Sequence, residues 1–96
     1  MNMSPLYLAE CYWPDVSEEQ LERASRRARE AAKALSASGT EVRLRSSWLV
    51  PDDEVAFLLF EAVSADAVRQ VAERARVPFE RIVQTTELTP ECARQR

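Results

Sequence analysis

The sequence predicts an α+β domain: a four-stranded antiparallel sheet with two helices on one face. Three observations predict it. Apolar residues recur every second position in some segments and every third or fourth in others, in the order strand, helix, strand, strand, helix, strand. A short turn separates the second and third strands, which makes them a hairpin. The chain has 96 residues, enough for one modest core. Residues 1–90 are therefore expected as one domain and residues 91–96 as a polar tail.

Residues 5–13 are rich in aromatic and aliphatic side chains and read as a strand ended by Pro14. Ser17 and Gln20 form a capping-box pattern, and Glu18 and Glu19 suit the positive end of a helix dipole. Leu21, Ala24, Ala28, Ala31 and Leu35 then trace one apolar stripe. Gly39, the only glycine, stands where that helix ends in a left-handed residue.

In the second strand Val42, Leu44, Trp48 and Val50 alternate with Arg43, Arg45, Ser47 and Leu49. The first set is expected to face the helices. Pro51-Asp52-Asp53-Glu54 is turn chemistry. Residues 55–62 are apolar on both parities, so this strand is expected at the centre of the sheet, covered on both faces. Ser64 is an N-cap for a second helix carrying Val68, Val71, Ala72 and Ala75, which Pro78 stops near Val77. Residues 80–88 read as the fourth strand, ended by Thr89-Pro90. This order is the split βαβ, or ferredoxin-like, pattern, with the first and third strands central.

Composition removes several functions. Thirteen basic residues against sixteen acidic ones give a net charge of -3, against a nucleic-acid partner. There is no histidine, the commonest general base and metal ligand. One glycine excludes a Gly-rich phosphate loop. Cys11 and Cys92, far apart, read as two reduced thiols of a cytoplasmic protein. Residues 1–8 show no signal-peptide pattern, and the longest apolar run, 55–60, is too short to cross a membrane. No cofactor is expected.

Several motifs together carry a resemblance. They are Glu10-Cys-Tyr-Trp-Pro14 before a helix, Ser46-Ser-Trp-Leu-Val-Pro-Asp-Asp53, Phe57-Leu-Leu-Phe-Glu-Ala62 and Val77-Pro-Phe-Glu-Arg-Ile-Val83. The combination resembles a family of small bacterial proteins, grouped as a domain of unknown function, whose namesake is a nickel-binding ferredoxin-like protein. It spans roughly residues 5–88. The resemblance implies a ferredoxin-like fold and a dimer. Relatives often carry a histidine where this chain has Arg45, a histidine where it has Ala72 and a cysteine where it has Leu58. No nickel ligand therefore carries over.

The polar residues inside the sheet are the candidate ligand-binding set: Glu10, Tyr12, Arg43, Arg45, Ser47, Glu61 and Arg81. Antiparallel pairing sets Glu10 against Arg81, and Glu61 against Arg43 or Arg45. These are cross-strand ion pairs, or they line a pocket for a small molecule. With helices on one face only, the other face of the third strand needs a cover. A homodimer packed through that face, as in dimeric α+β barrels, supplies one. The expected function is a small-molecule-binding homodimer. Alternatives are a cofactor-independent cyclase or isomerase using Glu10, Tyr12 and Arg45, and divalent metal (nickel) binding through carboxylates. Cys11 reads as a buried small hydrophobe and the Arg23-Arg26-Arg27-Arg29 stripe as a solvated helix face.

Overall fold

The structure, a computed structural model, describes residues 5–88; the tail at 91–96, Cys92 and the Thr89-Pro90 stop lie outside the described residues. The elements are β1 (Leu6–Tyr12), α1 (Glu18–Ala37), β2 (Val42–Val50), a 3-10 turn (Pro51–Asp53), β3 (Val55–Ala62), α2 (Ala65–Arg74) and β4 (Phe79–Thr85). The sheet order is β2-β3-β1-β4, and every neighbouring pair is antiparallel. This is the ferredoxin-like α+β fold that the element order predicts.

The helix ends form as their sequences dictate. The Gln20 amide donates to Ser17 Oγ at 3.1 Å, and the Ser17 amide donates to Gln20 Oε1 at 2.9 Å. Gly39 follows the α1 cap with φ of +108°, a conformation that a Cβ disfavours. The Ala67 amide donates to Ser64 Oγ at 3.1 Å and starts α2. Arg27 of α1 donates from Nε to the Ala75 carbonyl at 2.8 Å, so one helix caps the C-terminus of the other. The α1 stripe differs from expectation at one place: Ala32, three turns on from Leu21, is buried and Ala31 lies at the stripe's edge.

The core lies between the helices and one face of the sheet. Phe60, Leu58, Val68, Val71 and Cys11 are its largest fully buried side chains. Register places Tyr7, Ala9 and Cys11 of β1 on this face with Ala56, Leu58 and Phe60 of β3. The outer edge of β2 is closed to further pairing at Val42. Ser36 Oγ donates to its carbonyl at 2.9 Å and accepts from its amide at 3.2 Å.

A bulge overturns the predicted faces of β2. Leu44 pairs with Phe60, but Ser46 pairs with Leu59, so Arg45 is an extra residue. Side-chain parity reverses beyond it. Ser47 and Leu49 face the helices, while Trp48 and Val50 face away. Both the placement of Trp48 in the core and the placement of Ser47 on the open face are thus corrected. A second bulge at Glu80 lets Phe79 face the core while Arg81 faces outward. β4 also ends at Thr85, earlier than predicted, and residues 86–88 leave the ladder.

Candidate functional site

The open face of the sheet is a grid fixed by register. One row is Trp48, Phe57, Glu10 and Arg81; the next is Ser46, Leu59, Leu8 and Val83; a third runs through Arg43, Glu61, Leu6 and Thr85. Tyr12, Val55 and Val50 close one end. The middle of the grid is aliphatic and aromatic, and no helix covers it. Trp48 is 49% exposed and Tyr12 is 64% exposed.

Ion pairs stand around this apolar centre. Arg81 grips Glu10 with two hydrogen bonds, Nε to Oε1 at 3.0 Å and a terminal nitrogen to Oε2 at 3.1 Å. The hydrogen bond to Glu10, and then its charge, raise the Arg81 pKa above the ordinary arginine value. Arg43 meets Glu61 at 2.6 Å in the directly opposed pair of the hairpin. Arg45 reaches Glu87 at 3.3 Å. Six of the seven predicted site residues therefore share one face: Glu10, Tyr12, Arg43, Arg45, Glu61 and Arg81. Ser47 does not. Its Oγ lies 2.8 Å from Ser25 Oγ on the helix side.

A family model described as nickel responsive protein SCO4226-like matches residues 7–85. The chain belongs to that family. The crystal structure of SCO4226 from Streptomyces coelicolor A3(2) is similar in fold, with a TM-score of 0.69 and 22% identity, over 88% of this chain and 99% of that one. No curated protein matches the chain.

The family's name raises nickel, and the described residues do not fit it. At the positions where the resemblance leads one to expect donors, this chain has the guanidinium of Arg45 and the buried aliphatic side chains of Leu58 and Ala72. Among the described residues no three His, Cys, Asp or Glu side chains gather into a metal site. Cys11, the free thiol in β1, is sealed in the core, and desolvation pushes its pKa up to about 12. A thiol so held is neither a ready ligand nor a nucleophile.

Sequence reasoning missed other features. Trp48, Ser46 and Val50 join the open face only because of the bulge. A cleft of about 1170 Å³ between α1 and β2 is lined by Arg29, Lys33, Ser36, Glu41, Arg43 and Glu61. It mixes three cations with two carboxylates and shares Arg43 and Glu61 with the rim of the open face. Nothing in the local pattern of either element foretells it. The Arg23 and Arg26 stripe behaves as a solvated face, with Glu19 and Glu22 at 3.9 and 3.7 Å. No helix among the described residues is long and apolar enough to cross a membrane.

Proposed function

We propose that the open face joins two copies of this chain into a cytoplasmic homodimer, which holds a small molecule against the sheet. One observation carries the reading: Leu6, Leu8, Val55, Phe57, Val83 and Trp48 form a continuous apolar surface on the side without helices. An apolar patch of this extent is unusual on a monomer and marks a binding surface. A second copy offers the same surface and satisfies it through a two-fold axis. The surrounding polar groups of Glu10, Tyr12, Arg43, Arg45, Glu61 and Arg81 would orient a ligand, with Trp48 and Ser46 added and Ser47 removed. Nickel has no part in this reading, because the donor set does not suit it.

Native mass spectrometry of protein purified from its own host, without added metals, tests both halves. The expected species has about twice the 10.9 kDa chain mass and carries a small-molecule adduct. A species of single-chain mass at all micromolar concentrations would overturn the dimer. A bare dimer from every preparation would overturn the ligand. Trp48→Glu is expected to give a folded monomer by circular dichroism and light scattering.

A further inference from the structure

We infer that residues 86–88 form a latch across the open face, closed by the Arg45–Glu87 ion pair, and that the latch competes there with a second copy of this chain. The inference rests on the dimer reading above and adds its regulation.

The geometry is set by strand order. β2 and β4 are opposite edges of the sheet, three inter-strand steps apart, or about 14 Å. If residues 86–88 continued β4, Glu87 would also stand about 13 Å further along the strand direction than Arg45, for a separation of about 19 Å. Side chains that stand off the sheet cannot close that gap. The observed contact is 3.3 Å. Residues 86–88 therefore leave the line of β4 and lead inward over the open face, tied at the far edge by Arg45.

The path shows in the burial of the surface beneath it, while Thr86, Glu87 and Leu88 themselves stay exposed on its outer side. Leu59 faces away from the helices, yet it is 5% exposed. Its neighbours on the same face, Leu6, Leu8, Phe57 and Val83, all keep partial exposure. Leu59 sits opposite the Arg45 bulge, where the latch arrives. A helix-free face thus has one sealed residue, at the point where the chain's own segment crosses it.

The latch is held weakly. The β4 pairing stops at Thr85, and among the described residues no backbone hydrogen bond anchors 86–88. The Arg45 and Glu87 side chains are 38% and 48% exposed, so salt screens their attraction. The latch and a partner's sheet cannot both cover Leu59 at once. Opening the pair, by salt or mutation, frees the apolar centre for the second copy.

The test places a reporter at the covered position: Leu59→Cys with Cys92→Ser, labelled with a thiol reagent under dilute, monomeric conditions. Glu87→Gln is expected to speed labelling several-fold, and added salt should do the same in the parent. The exchanged pair, Arg45→Glu with Glu87→Arg, is expected to restore slow labelling. In sedimentation runs without the reporter, Glu87→Gln is expected to tighten the dimer several-fold. Unchanged labelling would overturn the latch, whatever the dimer does. Faster labelling with an unchanged or weaker dimer would overturn the competition. Absence of a dimer in every variant would overturn the underlying dimer reading, and labelling would still report whether residues 86–88 cover Leu59.

Discussion

The hydroxyls of Ser25 in α1 and Ser47 in β2 lie 2.8 Å apart, so the helix and the sheet edge are joined by a polar contact in an otherwise apolar layer. Ser25 is buried there. Ser47→Ala is expected to strip Ser25 of its partner and destabilise the fold by about 1–3 kcal/mol. The double variant Ser25→Ala/Ser47→Ala removes both groups and should recover much of that loss. Urea denaturation of the four proteins completes the cycle, and strictly additive costs would contradict the pairing.

Cys11 gives an alkaline signature. Its pKa rises from 9.0 unfolded to about 12 folded, through desolvation by burial. The unfolded chain therefore loses this proton first. The thiol's stabilising contribution is complete below pH 9 and is lost as pH climbs toward 12. In a Cys92→Ser background, stability should fall across that window, and Cys11→Ala should remove this part of the slope. In the same Cys92→Ser background, the folded protein at pH 8 should resist thiol reagents until it unfolds.

The two faces of the sheet should respond differently to truncation. Phe60 is fully buried against the helices, and Phe60→Ala is expected to cost about 3–5 kcal/mol. Trp48→Ala, on the open face, should cost the dilute monomer far less while weakening association. Denaturation midpoints and sedimentation separate the two effects.

Gly39 is held at φ of +108° with open space where a Cβ would stand. Gly39→Ala therefore clashes with nothing, and its cost is backbone strain, about 1 kcal/mol or somewhat more. A thermal melt of the variant measures it. A neutral or stabilising result would show that the turn relaxes.

Local chemistry made much of this fold legible in the sequence. Ser17 with Gln20, Ser64 and Gly39 mark helix ends with hydrogen bonds or backbone freedom that act within a few residues. The ion pairs of Glu10 with Arg81 and of Arg43 with Glu61 follow from antiparallel register once the strand order is known. The faces beyond Arg45 were not legible. Leu49 is as apolar as Val50, so both parities of residues 47–50 read as a strand, and no glycine or proline marks the bulge. The Arg45–Glu87 contact was hidden for another reason: it depends on the path of residues 86–88 beyond the β4 ladder, and only the assembled sheet brings its ends together. The cleft between α1 and β2 likewise belongs to the packing of two elements.

The bulge at Arg45 makes the outer surface tolerant of a change that would scramble a regular strand. Loss of that one codon would leave Leu44 opposite Phe60 and Ser46 opposite Leu59, now as consecutive pairs. Ser47 and Leu49 would stay under the helices, and Trp48 and Val50 would stay outside. The same loss from an evenly alternating strand would exchange its two faces. The surplus residue is thus a reserve of length: the edge strand can shorten by one position at that point without rewriting what either side displays.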